Sequence, residues 1–338
     1  MLRPHQLSVL VLAFAAQACS TEPATFERPA PAPAPAAQPV TAAPAAPAAP
    51  TPTPQPPWFA DRLPPAPRIV AIGDVHGDLR AFRAALRAGG VLDAADHWSG
   101  AETVVVQTGD VFDRGDDELE IVQLIDRLRP EAAAAGGKLV TLNGNHELMN
   151  VALDFRYVTP GAYADFDAYA SADPALADVK PEARGRVAAF KPGGPLALAL
   201  SRQNMVQVVG DTLFLHGGLE PRWAQVGLEA LNDGPRRWMT GELPQAPESV
   251  TAHDSPTWSR AFSAEESPEV CDALARSLDA VGARRMVVGH TVQRDGITSA
   301  CDGRVWRIDV GMAAYYGGQV QVLEITGAQT RLLGPTTE

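Results

Sequence analysis

Long apolar runs are missing from this chain: nowhere do the ~18–20 consecutive apolar residues needed to cross a bilayer as a helix occur. Positive charge is scarce too. Twenty-eight Lys and Arg stand against 40 Asp and Glu, a formal net charge of −12, so nothing in the overall balance draws the protein to nucleic acid or anionic lipid. There are three cysteines, too few for a multi-bridge scaffold or a four-thiolate zinc site. Charged residues make up 20% and hydrophobic ones 46%, which is too apolar for a wholly disordered chain. A length of 338 residues fits about two domains, or one large α/β domain with appendages.

Proline, by contrast, is in surplus, and it is concentrated. Of 30 prolines, 16 fall between Pro23 and Pro67, interleaved with alanine and almost without charge. Such a segment has no core to bury and few backbone donors, which predicts a disordered, extended tether over residues 20–67. Ahead of it, residues 1–19 read as a signal peptide: Arg3 gives a basic start, Leu7 to Ala16 an apolar run, and Ala16-Gln17-Ala18 a small-x-small cleavage pattern. Cys19 follows at once, where a bacterial lipoprotein carries its acylated cysteine. The expectation is export across the inner membrane to the periplasm, with a lipid anchor at Cys19 as the sole membrane attachment and plain secretion without the anchor as the alternative. Acids and bases balance in the first 67 residues, so the whole −12 belongs to residues 68–338.

In that region short β-branched runs alternate with helical stretches. Strands are predicted at Arg68–Ile72, Thr103–Gln107 and Lys138–Leu142, with helices over Asp78–Ala88 and from Asp117 to about Ala135. Continuous apolar strands with helical crossovers argue for a sheet buried on both faces. Met205–Val209 and Thr212–Leu215 read as a hairpin about Gly210-Asp211. Arg285–Val288, Gly296–Ala300, Arg304–Asp309 and Gln319–Ile325 complete a later set with a more antiparallel look. Residues 152–200 break the rhythm and read as a mostly helical insertion.

The first three strands end in loops of one kind: Gly73-Asp74-Val75-His76-Gly77-Asp78, Gly109-Asp110-Val111-Phe112-Asp113-Arg114-Gly115 and Asn143-Gly144-Asn145-His146-Glu147. Strand carboxyl ends are where an open α/β sheet builds its site, so the loops should converge. Carboxylate, imidazole and amide oxygen suit hard-to-borderline divalent metals. Two further histidines, His216 and His290, stand at later strand ends. With them, Asp74, His76, Asp110, Asn145, His216 and His290 supply ligands for two metals sharing one carboxylate, a cluster suited to in-line phosphoryl displacement.

GDxHG, GDxxDRG and GNHE in that order, followed by HGG and GH, resemble the calcineurin-like metallophosphoesterases of the phosphoprotein-phosphatase superfamily. Leu142–Asn150, His216–Pro221, Asp254–Arg260 and Asp309–Gly317 look most like the bacterial Shewanella-like protein phosphatases. The resemblance implies an α/β fold of two mixed β-sheets in a central sandwich flanked by helices, four layers in all, over a catalytic domain of residues 68–338. It implies that Asp74, His76 and Asp110 hold one metal, that Asp110 bridges, and that Asn145, His216 and His290 hold the second, with Mn²⁺ expected and Fe or Zn as alternatives. It gives His146 as proton donor to the leaving oxygen, Asp113 as the carboxylate orienting that ring, Arg114 as a bidentate phosphate clamp, Arg260 as a second phosphate contact, and Asn145 as a residue facing substrate. Glu147 becomes a support for the loops. The implied reaction is attack on phosphorus by a metal-activated hydroxide, on a phosphorylated protein (Ser/Thr or Tyr). A small phosphoester or a dinucleoside polyphosphate is the alternative substrate, and a phosphate-binding lipoprotein the non-enzymatic one.

Asp78 and Asp116 read as turn formers. Core packing is the default for Tyr315 and Tyr316, with a place at the substrate mouth as the alternative. The aromatics of 152–200 read as local core rather than a substrate cage, in an insertion expected to cap the cleft. Cys271 and Cys301 share one domain, and pairing between them stays open at this stage because sequence does not place their Cα atoms.

Overall fold

The computed structural model describes residues 60–170 and 174–335. The expected signal peptide, Cys19 and most of the expected tether lie outside the described residues. The chain enters through β1 (Arg62–Leu63), β2 (Ile69–Ile72), α1 (Leu79–Ala88), β3 (Val104–Gln107), α2 (Glu118–Ala134), β4 (Lys138–Thr141) and α3 (Asn145–Val151). Residues 152–200 carry three single 3-10 turns and the short helices α4 (Pro160–Ala164), α5 (Arg184–Phe190) and α6 (Pro195–Leu200). Then come β5 (Val206–Val209), β6 (Thr212–Leu215), α7 (Pro221–Ala224), α8 (Leu228–Met239), α9 (Glu248–Thr251) and α10 (Pro268–Val281). β7 (Arg285–Val288), β8 (Thr298–Ala300), β9 (Val305–Arg307), β10 (Val322–Thr326) and β11 (Gln329–Leu333) complete the domain.

The strands form two mixed sheets, β11-β10-β2-β3-β4 and β1-β5-β6-β7-β9-β8, with helices flanking them. β2 is buried at every residue and β3 and β4 at three of four, as parallel strands covered on both faces should be. β2 pairs in register with β3, and β3 with β4, so the three chemistry-bearing loops leave the same end of one sheet.

The later strands pair mostly antiparallel, as expected (β5–β6, β8–β9, β10–β11 and β10–β2), with two parallel exceptions, β6–β7 and β7–β9, and β10 crosses to the first sheet. β7 is buried throughout, and a fully buried strand carries no alternation by which sequence could reveal its direction.

Residues 60–67, expected to belong to the tether, are part of the folded domain instead. Arg62 and Leu63 pair in parallel with Val208 and Val209, and the Asp61 carboxylate accepts from Asn232 Nδ2 at 2.7 Å. Leu63 packs on the core. Prolines 64, 65 and 67 masked this strand, yet an edge strand tolerates such neighbours because only one of its sides is hydrogen-bonded.

Candidate active site

The loops after β2, β3 and β4 meet beyond their strand ends. Gly109, at φ +97°, lies so close to Gly144 that a Cβ on it would run into the Gly144 backbone, so glycine is required where these loops touch. Glu147 fastens the same two loops from the first turn of α3. Its carboxylate accepts from the backbone amides of Asp110 (2.8 Å), Val111 (2.7 Å) and Gly144 (2.7 Å), the supporting part expected of it. His76, Asp110, Asp113, Arg114 and His290 all have positive φ between 48° and 74°. Half of the ten non-glycine residues with that conformation among the described residues are therefore candidate site residues, and backbone strain held in place by surrounding structure marks a functional cluster.

Among the described residues, ligand-type atoms gather in two buried groups that share Asp110: His76, Asp110 and His146, and Asp110, His216 and His290. His76 Nδ1 lies 3.1 Å from the carbonyl of Phe112 and donates to it, which turns the Nε2 lone pair toward Asp110 Oδ2 (3.7 Å) and Asp74 Oδ2 (3.9 Å). His216 Nδ1 likewise donates to the Thr108 carbonyl (3.0 Å). Its Nε2 lone pair then faces Asn145 Oδ1 (2.8 Å), Asp110 Oδ2 (3.1 Å) and His290 Nδ1 (3.1 Å). The backbone amide of His290 donates to both Asp74 carboxylate oxygens, joining the last ligand loop to the first.

These contacts test whether metals fit. Lone-pair atoms converge at His216 Nε2 with too few hydrogens to share among them, and a cation relieves that crowding where a proton network does not. The electrostatics agree. Burial first, then Asp309 and Asp110, push the Asp74 carboxyl well above its ordinary range. Burial pushes the imidazoles of His76 and His290 down to about 4 and about 2, leaving both neutral and ready as ligands. The six residues expected as ligands are thus all brought together.

The His146–Asp113 pair stands beside them. His146 Nδ1 lies 2.5 Å from Asp113 Oδ2, and its Nε2 lies 3.8 Å from Asp110 Oδ2. Burial alone would push this imidazole down, but Asp110 and Asp113 outweigh it and hold it above its ordinary value. Arg114 is half-buried between two tyrosines, its guanidinium carbon 3.9 Å from the Tyr157 ring centre and 4.9 Å from that of Tyr315, with Nη1 donating to the Tyr315 hydroxyl (3.1 Å). Arg260 is exposed and donates to the His290 carbonyl (2.9 Å) and to Thr291 Oγ1 (2.8 Å), so it is fixed to a ligand loop.

A cavity of about 320 Å³ lies beside this arrangement, on the side of His76 and Arg114, lined also by Arg80, Asp116 and Tyr315 among others. Tyr315 is 61% exposed, so core packing does not hold for it. Tyr316 is half-buried, 5.4 Å from the His76 ring, with its phenol pushed up to about 12, chiefly by burial. Asp78 caps α1 through Ala81 N, a local part as expected, and also accepts from Ala314 N (2.7 Å), whereas Asp116 accepts from the Thr159 hydroxyl, a tie to the insertion in place of the local turn expected of it.

Four residues to which the sequence assigned no individual part reach the site. Phe166 and Phe190 of the insertion are buried, as local core should be. Tyr157, however, covers Arg114 and lies 5.2 Å from the His146 ring. Arg186, Glu118 and Asn150 bind Asp113 or its backbone. Asn150 had a signal, being four residues beyond His146 on one helix face; Arg186 had none beyond a cation in an otherwise apolar stretch. Glu118 is pushed by burial up to about 7, with Arg186 pulling the other way. Cys271 and Cys301, left open by sequence, are joined in a disulfide.

Comparison with known proteins agrees with this geometry. The calcineurin-like phosphoesterase family matches residues 67–294. The chain is 40% identical over 293 residues to Shewanella-like protein phosphatase 2 of Arabidopsis thaliana, covering 76% of this chain and 75% of that protein. It is 29% identical over 257 residues to Shewanella-like protein phosphatase 1 of Plasmodium berghei, covering 73% and 68%. A solved structure of the cold-active protein-tyrosine phosphatase of a psychrophilic Shewanella species shares the fold with a TM-score of 0.68 at 24% identity, covering 81% of this chain and 80% of that one. The chain belongs to the calcineurin-like phosphoesterases and is a metal-dependent phosphoester hydrolase of the phosphoprotein-phosphatase type.

Proposed function

We propose that this hydrolase removes phosphate from phosphorylated protein side chains, with Asp74, His76 and Asp110 holding one divalent ion and Asp110, Asn145, His216 and His290 the other. The observation that carries the reading is the crowd of lone pairs around Asp110 and His216 Nε2, set directly beside an imidazole–carboxylate pair and an arginine. Mn²⁺ is the ion proposed, since an aspartate, histidine and asparagine set accepts it, as it does Fe and Zn. Bound there, two such ions supply an acidified water and positive charge against the phosphoryl oxygens.

The chain's own groups do the rest. The planar guanidinium of Arg114 takes two phosphoryl oxygens at once, and its tyrosine sandwich limits the orientations it has to give up on binding. Arg260 approaches from the His290 side as a second contact. His146, held by Asp113, donates the proton that the departing oxygen needs. Support for a protein substrate comes from the two protein phosphatases to which the chain is similar. Mn²⁺-loaded full chain, offered phosphotyrosine peptide, phosphoserine peptide and dinucleoside tetraphosphate, should hydrolyse at least one peptide well above the dinucleotide. Preference for the dinucleotide overturns the protein-phosphatase reading.

Periplasmic anchoring through Cys19 belongs to the same proposal, supported by the basic start, the apolar run and the proline-rich stretch after it. Labelling with a palmitate analogue in a bacterial host should mark the protein and spare Cys19→Ser; equal labelling of both refutes the anchor.

A further inference from the structure

Arg186 lies wholly buried at 0% exposure on α5, far in sequence from every motif. Its guanidinium has five N–H groups, and five acceptor contacts meet them. Nε donates to Asn150 Oδ1 (2.9 Å). Nη1 donates to Glu118 Oε2 (2.6 Å) and to the Ala162 carbonyl (3.0 Å). Nη2 donates to Glu118 Oε1 (3.2 Å) and to Asp113 Oδ1 (3.4 Å). The rings of Phe155, Phe166 and Phe190 enclose it at 5.6, 5.0 and 5.0 Å.

Three of the four residues it binds lead to one carboxylate. Asn150 Nδ2 donates to Asp113 Oδ1 (3.0 Å) and to the His146 carbonyl (2.9 Å), and Glu118 Oε1 accepts from the Asp113 amide (2.6 Å). Asp113 Oδ1 is thus held by donors from two sides while Oδ2 faces His146 (2.5 Å). Burying a cation carries a desolvation cost that its partners must repay, and an apolar side chain would fill a pocket among three phenylalanines without that cost. A guanidinium at this place makes sense for what it orients.

We propose that Arg186 is a positioning residue for the proton donor: by fixing Asp113 through a direct contact, through Asn150 and through Glu118, it sets the orientation of His146 toward the leaving oxygen. The insertion is by this account part of the chemical machinery, and not only a cover for the cleft. The proposal rests on the reading of His146 as proton donor.

The test compares Mn²⁺-loaded full chain on p-nitrophenyl phosphate and phenyl phosphate, which differ in how much their leaving oxygen needs a proton. Arg186→Lys keeps the charge and loses the fork. Its kcat should fall on phenyl phosphate by about tenfold more than on p-nitrophenyl phosphate, with KM unchanged. Glu118→Gln combined with Arg186→Met, which leaves no lone buried charge, should give the same selective loss and keeps the test alive should the lysine variant fold poorly. Adding Arg186→Lys to Asp113→Asn should cost nothing further.

Equal losses on both substrates, or a further tenfold loss in the double variant, would overturn the proposal by making Arg186 an anchor of the insertion only. His146→Asn is the reference. A selective loss there without one at Arg186 defeats this proposal alone, whereas equal losses at His146→Asn defeat the proton-donor reading and this role with it.

Discussion

Glu147→Gln is a change of one atom with a consequence that can be worked out contact by contact. The carboxylate Oε2 takes two amides, those of Asp110 and Gly144, and Oε1 takes one, that of Val111. A glutamine keeps its oxygen where it meets two donors, so its amide nitrogen turns onto the Val111 N–H. One buried donor then faces another donor, at about 1–3 kcal/mol for the lost partner. Removing a negative charge gives part of that back in the metal-free protein, because Glu147 sits among carboxylates and is raised by burial and by Asp110. With cations in place that relief disappears and the full penalty remains.

The loop that is loosened carries Asp110, common to both ligand groups, and loss of such a support typically costs about 10–100-fold in metal affinity. Calorimetric titration with Mn²⁺ should read that weakening directly. Scanning calorimetry should give a melting point lowered by about 3–10 °C with Mn²⁺, at ~2–4 °C per kcal/mol for a domain of this size, and by less without it. A variant that binds Mn²⁺ like the parent and melts at the same temperature in both states would refute the argument, and with it the view that Glu147 holds the two loops in register.

Three further outcomes follow from the same geometry. Because Asp110 and Asp113 hold the His146 imidazole above its ordinary value, and the proposed donor must be protonated, kcat on phenyl phosphate should fall as pH rises through that raised value; Asp113→Asn should move the fall to lower pH, and an unmoved profile would contradict the assignment. Arg114→Lys loses both the fork and its tyrosine sandwich, so KM for phosphorylated substrate should rise about tenfold and inhibition by inorganic phosphate should weaken in step. Reducing the Cys271–Cys301 bond, which closes a loop of 30 residues tying the start of α10 to the turn after β8, should cost about 3–4 kcal/mol, or about 10 °C in melting temperature, with dithiothreitol-treated and untreated samples compared by calorimetry.

What could be read in the sequence was what chemistry forces into short, fixed spacing. Asp74 and His76, or Asp110, Asp113 and Arg114, must leave one strand end together, so the chain writes them side by side, and the glycines around them record backbone crowding that no other residue survives. The same logic made β2, β3 and β4 legible, since strands covered on both faces need uninterrupted apolar residues. Arg186 obeys no such rule. It is held to Asp113 across a separation of 73 residues by a fold that had first to bring α5 against α2 and α3, and a lone arginine between Gly185 and Val187 looks the same whether it is solvated or enclosed by three phenylalanines.

Tyr157 and β1 were hidden for related reasons. An aromatic in an insertion has no period to reveal which way it faces, and a two-residue edge strand among prolines carries its evidence in Val208 and Val209, far along the chain. Sequence motifs thus outline the atoms proposed to meet the metals and the phosphate. The residues that hold those atoms still are distributed by tertiary packing, which is where mutation should separate orientation from chemistry.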